Sequence, residues 1–362
     1  MNSRTQCGGG VLTGARRFAV RLVAALAVPV APLACAGDAE HLAAISKPDA
    51  VDLAVERGLA FLATQQDPVQ GCFKGDKPNT YTGLGCMALM AAGHFPGRSR
   101  YGENLRRGVL YLCRATLQHN GYFGNESNAR MYGHGMCTLA LAEAYGMLQD
   151  EAENRQVKEA LERALKVIYK AQTSDPRSPN YGGWRYEPAP GDADLSVTVW
   201  QIIALRAAQN CRLEVPDQVV KDALNYVRRT YHAGGKGFAY QPGAGPSVAM
   251  RSAGVVAMLA LGANEAPKDQ AMVKDAASFL LTLDPSGGGH FYYQSYYLAT
   301  AANMAGDEHR KALLPRLEKV LLAQQQPGGE FRSPEGDPAV YATAFSLICL
   351  GVRYQYLPVY QE

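Results

Sequence analysis

Two aspartates spaced one apart, Asp192 and Asp194 in YGGWRYEPAPGDADLSVTVW, stand directly before an apolar run, a placement with two chemical meanings. A carboxylic acid enclosed beside an apolar cavity holds its proton by desolvation and can donate it to a bound molecule. The same carboxylate at the start of a helix accepts the free amide hydrogens of the first turn. The run LSVTVWQIIAL favours the helix cap for Asp194 and a loop position for Asp192, and both stay candidates as acids. His134, in MYGHGMCTLALAEAYG, is the candidate base, although a histidine among glycines on an apolar helix also serves as a hydrogen-bonded packing residue. Arg130, Tyr132, Trp184, Arg185, Arg251, Tyr296, Tyr297, Glu335 and Tyr341 are candidate ligand contacts, with Glu126, Gln294, Arg332 and Asp337 in the same segments. Paired carboxylates in an aromatic-lined cleft are what glycoside chemistry requires, and tyrosine rings offer stacking surfaces.

The elements that must carry these groups recur. Each unit is a helix charged on one face, then a glutamine, then Gly-x-aromatic, then a helix apolar all round. The first copy is RGLAFLATQQDPVQGCF with YTGLGCMALMAAG, and the second is RGVLYLCRATLQHNGYF with MYGHGMCTLALAEAYG. The repeated aromatics of the six copies are Phe73, Phe123, Trp184, Phe238, Phe291 and Phe331, with the glutamine missing from the fourth and fifth. A helix polar on one face looks at solvent and one apolar all round is enclosed. The alternation therefore predicts an all-α fold, a single (α/α)6 toroid of six hairpins with an inner and an outer ring, an open solenoid being the alternative.

Arg57-Gly58, Phe61-Leu62, Gln66 and Gly71-x-Phe73 resemble the Gln-Trp repeat of squalene-hopene cyclases, with Phe for the final Trp in all copies but the third. With GGWRY, DADLSVTVWQIIAL, FYYQSYY and YQYLPVY, the chain is similar to the squalene-cyclase-like and prenyltransferase-like α/α toroids exported by planctomycete-type bacteria. The resemblance implies the toroid and, in its cyclases, an Asp-x-Asp-Asp acid cluster. Here the matching letters are Asp192-Ala193-Asp194-Leu195, with leucine in place of the last acid, and the length suits one helical barrel where full-length cyclases use two. Protein prenyltransferases hold zinc through an Asp-x-Cys pair and a histidine. No cysteine in this sequence has Asp two residues before it. The Gly-Cys-Gly-Glu-Gln of thioester domains fails at Gly85-Cys86-Met87, and the GGG at 287–289 lacks the Lys and Ser or Thr of a phosphate loop.

At the start, Arg16, Arg17 and Arg21 precede LVAALAVPVAPLA and Ala34-Cys35-Ala36. This reads as an export leader over residues 1–36, too short and proline-broken to span a membrane, with Cys35 as an alternative lipidation site. A linker over 37–50 and the toroid over 51–362 follow. Loss of the leader takes four arginines with it and the formal charge from +3 to −1, without any basic block suited to nucleic acid. Cys86, Cys137 and Cys349 lie in apolar helical stretches as small buried hydrophobes, and a Cys72–Cys113 bridge is an option.

The expected function is an exported binding or interaction module, periplasmic or secreted, for an apolar isoprenoid-like ligand or a partner protein, with no cofactor. The alternatives are a divergent terpenoid cyclase using Asp194 as general acid and a carbohydrate-active enzyme at the toroid mouth.

Overall fold

The computed structural model describes residues 47–189, 191–263, 266–287 and 289–360. The leader expected over 1–36, Cys35 and most of the 37–50 linker lie outside the described residues. Pro48–Glu362 form one compact unit. Its outer helices are α1 (Ala50–Gln65), α3 (Gly102–Ala115), α5 (Glu151–Ala171), α7 (Asp217–Thr230), α9 (Pro267–Leu280) and α11 (Asp307–Leu322). They alternate with inner helices α2 (Pro78–Ala91), α4 (Arg130–Ala144), α6 (Leu195–Asn210), α8 (Val248–Ala260), α10 (Phe291–Met304) and α12 (Ala339–Gly351). A two-residue hairpin, β1 (Tyr231–His232) and β2 (Gly237–Phe238), decorates the fourth turn.

The burial pattern explains the two rings. In α2 every residue from Thr80 to Ala91 is buried, whereas α3, α5 and α7 bury only one stripe each. Each inner helix packs on the next, and α12 packs on α2, so the ring closes. Of the inner helices, each outer helix packs most broadly on the one before it, with α1 lying on α12. The packing unit is therefore inner-then-outer, displaced by one helix from the outer-then-inner repeat in the sequence. That displacement makes the first and last elements interlock.

The repeat letters are the hardware of this interlocking. Gln66 at the end of α1 donates from Nε2 to Gly71 O and to Asn104 O in the next outer helix, both at 2.8 Å. Gln172 does the same to Gly182 O and Val219 O, both at 2.9 Å. Gln325 donates to Gly329 O at 3.1 Å and, across the closure, to Ala54 O at 2.8 Å. Gly182 and Gly329 have φ of 85° and 95°, and a Cβ at either would overlap a backbone carbonyl of the following outer helix, that of Asp222 or Arg57. In the second copy Thr116 takes the helix-end position and Gln118 lies exposed, so that glutamine does not perform the stitching.

The turn aromatics Phe73, Phe123, Trp184, Phe238 and Phe331 are fully buried. The fifth differs from the sequence expectation: Phe291 opens α10 instead of ending a turn. The ring's lumen is filled at mid-height by Trp200, Tyr296, Tyr297 and Phe345, with Trp200 and Tyr296 stacked at 4.7 Å. At the C-terminal ends of the inner helices, residues 352–360 cross the opening and bury Leu357 and Val359. The six described cysteines are all free, so Cys72 and Cys113 are not bridged. No described helix is long and apolar enough to cross a membrane.

Candidate ligand chamber

Above the aromatic floor, the second to fourth residues of the inner helices meet around a chamber of about 680 Å³. Thr80 and Tyr81 come from α2, Tyr132 and Gly133 from α4, Ser196 from α6, Ala249 and Met250 from α8, Tyr292 and Tyr293 from α10, and Tyr341 from α12. Side chains tilt toward the helix N-terminus, so first-turn residues project past the helix ends into the space they surround. Tyr186 and Tyr240, from the third and fourth turns, complete the wall with their hydroxyls 2.5 Å apart. Lys77, Asn128, Ser247, His290, Glu335 and Asp337 form a polar rim.

Six helix N-termini facing one space concentrate partial positive charge there, and carboxylates answer it. Asp194 caps α6, taking Val197 N–H at 2.8 Å and Ser196 Oγ–H at 2.5 Å on Oδ1. Glu126 reaches across from the second turn to accept Asn79 N–H at 2.6 Å and both Thr80 N–H and Thr80 Oγ–H at 3.2 Å, which caps α2. Glu335 accepts the His290 N–H ahead of α10 at 2.5 Å, and Asp337 accepts Ser333 Oγ–H at 2.7 Å.

Asp194 is fully buried and does not line the chamber; Ser196 stands between. Because Ser196 gives its hydrogen to Asp194, it receives the hydrogen of the Tyr132 hydroxyl, 2.5 Å away. Burial raises the Asp194 pKa above the ordinary aspartate range, against the lowering pull of its hydrogen bonds and of Arg185. The Arg185 guanidinium sits 3.3 Å from both Asp194 Oδ2 and Asp192 Oδ2, and lies over the rings of Tyr186 at 4.5 Å and Tyr240 at 5.5 Å. Asp192 is an exposed loop residue that accepts from Asn180 and Gln241. The geometry thus makes Asp194 a buried cap and counter-ion. It offers a ligand no direct contact with the acid.

His134 is not open to the chamber. It is fully buried, accepts Phe123 N–H on Nδ1 at 3.3 Å and donates from Nε2 to Ala164 O at 3.1 Å. The turn aromatics of the first, third and sixth units give the same amide hydrogen to Thr82, Thr198 and Thr343. His134 is therefore this repeat's version of a structural threonine. Burial pushes its pKa down to about 4 from 6.5. The unfolded chain binds the proton first as pH falls, so this contribution to stability is complete above about pH 6.5 and lost between 6.5 and 4. We expect His134→Gln, which keeps an acceptor and a donor but does not titrate, to lose roughly 2–3 kcal/mol less stability than the wild type over that interval. Urea unfolding at pH 7, 5.5 and 4 measures this, and parallel losses in both proteins would contradict it.

Of the other sequence candidates, Tyr132, Glu335 and Tyr341 line the chamber. Arg130 lies beside it, paired with Glu187 at 3.3 Å and placed over the Tyr186 ring. Trp184 is buried, with Nε1–H on Ile168 O at 2.8 Å. Arg251 turns outward over Phe279 and donates to Gly235 O, while Gln294 donates to Gly287 O. Tyr296 and Tyr297 belong to the aromatic floor. α10 starts at Phe291, so its first turn carries Tyr292 and Tyr293, and Tyr296 and Tyr297 lie one turn further in. Ser196, Tyr186, Tyr240 and Met250 went unnoticed in the sequence. The signal that finds them is position, the first turn of each inner helix and the turn before it. Among the described residues, no three His, Cys, Asp or Glu side chains gather as metal ligands.

No family model matches the sequence, and no curated protein matches it either. Solved structures do match by shape. An inactive variant of the GH76A α-1,6-mannanase of Salegentibacter sp. HEL1_6, in complex with α-1,6-mannotriose, aligns with a TM-score of 0.62 and 11% identity over 85% of this chain and 100% of that one. The type II terpene cyclase MstE from Scytonema aligns with a TM-score of 0.55 and 16% identity over 85% and 99%. A variant of that cyclase in complex with geranylgeranyl dihydroxybenzoate gives 0.55 and 16% over 85% and 98%. At these identities the likeness speaks for architecture, and the chain is a mostly helical α/α toroid of the fold shared by type II terpene cyclases and GH76 mannanases.

Proposed function

We propose that the chain is an exported ligand-binding toroid that holds an apolar, isoprenoid-like molecule in the tyrosine chamber and does no chemistry on it. One observation carries the reading: seven tyrosines and two methionines surround a space of about 680 Å³ from which the buried acid is shut off by Ser196. That volume is within the roughly 300–1,000 Å³ typical of small-molecule sites. Aromatic and thioether walls suit a hydrocarbon body, and the polar rim suits a head group. The terpene cyclase of the same fold, seen with a geranylgeranyl dihydroxybenzoate, supports the size and character of such a ligand. Export rests on the arginine-plus-apolar pattern of the first 36 residues. A second reading, sugar chemistry, is favoured by Glu335 and Asp337 lying together on the rim.

Mass spectrometry of extracts from the natively exported protein tests both. Wild type and Asp194→Asn should carry the same isoprenoid-like compound in about stoichiometric amount, and Ala249→Trp, which fills the chamber from the first turn of α8, should carry at least roughly tenfold less. A precursor that accumulates only in Asp194→Asn, with its cyclised form in the wild type, would establish a cyclase instead. Empty wild-type protein that cleaves oligosaccharides would move the assignment to the rim carboxylates.

A further inference from the structure

A second basin of about 800 Å³ lies beside the chamber, between the first and second units. The two are separated by residues 76–80 and 125–129. Asp76, Asn79, Asn125 and Glu126 face the basin, while Lys77, Thr80 and Asn128 face the chamber. The hydrogen bonds from Asn79 and Thr80 to Glu126 fasten this wall. The function proposed for the chamber makes no use of the basin, which shares no lining residue with it.

We propose that this groove binds a neutral oligosaccharide. Its charges are mixed: the carboxylates of Asp76 and Glu126 stand with the guanidinium of Arg114, so neither a polyanion nor a polycation is matched. Sugar hydroxyls both donate and accept. The carboxylates supply acceptors, and the amides of Gln70, Gln118 and Asn125 supply both kinds of group. Tyr111 and the highly exposed Val69 give apolar surface for the carbon faces of sugar rings.

The backbone at one edge of the groove is unusual. His119, which lines it, and the adjoining Asn120 have φ of 48° and 53°, a left-handed conformation that non-glycine residues seldom adopt and that concentrates at binding sites. Gln118 adds a sequence mark. In the first, third and sixth units the repeat glutamine is spent on stitching outer helices, but here Thr116 holds the helix end and the glutamine lies exposed in the groove.

Titration of the full mature chain with maltotriose, cellotriose, chitotriose and α-1,6-mannotriose, by calorimetry and saturation-transfer NMR, tests the proposal. At least one trisaccharide should bind. Its affinity should fall about tenfold or more in Gln118→Ala/Asn125→Ala and in Ala115→Trp, which fills the groove from the end of α3, and should be unchanged in Ala249→Trp. The double alanine variant alters two polar groove side chains and remains informative if Ala115→Trp fails to fold. No saturation by any of the four up to about 20 mM overturns the proposal. So does binding that survives the groove variants, or binding lost only in Ala249→Trp, which would place the sugar in the chamber. Failure here leaves the chamber reading standing, because that reading is decided by the extracted ligand.

Discussion

Asp194→Leu should lower stability by about 3–5 kcal/mol, one of the two largest effects expected in this chain. Three losses combine. The first turn of α6 loses its side-chain cap at Val197 N–H, Ser196 Oγ–H loses its acceptor, and the half-buried Arg185 loses its fully buried counter-ion. Asp192 still neutralises part of the Arg185 charge, which keeps the cost within that range. Asp194→Asn retains an acceptor for Val197 and should cost only about 1–2 kcal/mol. Urea unfolding of the three proteins measures the differences. If Asp194→Leu unfolds at the wild-type midpoint, the structural role assigned to Asp194 is wrong, and its burial would have to be explained by chemistry.

Trp184→Ala should cost about 3–5 kcal/mol, the usual range for removing a large buried aromatic side chain. The indole is fully buried, and its Nε1–H satisfies Ile168 O inside α5. Trp184→Phe is the informative partner. Four equivalent positions in the ring carry fully buried phenylalanine, so the site tolerates a smaller ring, and the remaining cost is the unpaired Ile168 carbonyl, about 1–3 kcal/mol. A near-neutral Trp184→Ala in equilibrium unfolding would show that the turn aromatic does not hold neighbouring units together.

The fold was legible because its information is periodic. Six copies of amphipathic helix, Gly-x-aromatic turn and apolar helix leave few arrangements that bury every apolar face, and a closed double ring is one of them. Asp194 as a cap was legible for a similar reason, since the acid stands one residue before an uninterrupted helical run. Tyr132 and Tyr341, in the first turn of an inner helix, and Glu335, in the turn before one, line the chamber.

The errors came where position depends on one turn of helix. Tyr296 and Tyr297 are candidate ligand contacts by sequence, and a start of α10 at Phe291 makes them part of the floor. Arg251 is another candidate contact by sequence, and in α8 it lies over the Phe279 ring of the outer helix α9. His134 looks like a base in any sequence. Only the structure shows its ring in the place that Thr82, Thr198 and Thr343 occupy in other units.

By itself the sequence determined the helical class, the six units, the glycine and glutamine devices between them and the cap on α6. These follow from local pattern and backbone chemistry, which need no knowledge of distant residues. The tertiary structure decided which first-turn side chains meet, that the lumen is filled below and open above, that Ser196 screens Asp194, and that a second groove adjoins the chamber. Those features are set by helix rotation and by side chains packed across six separate elements, and no single stretch of sequence contains them.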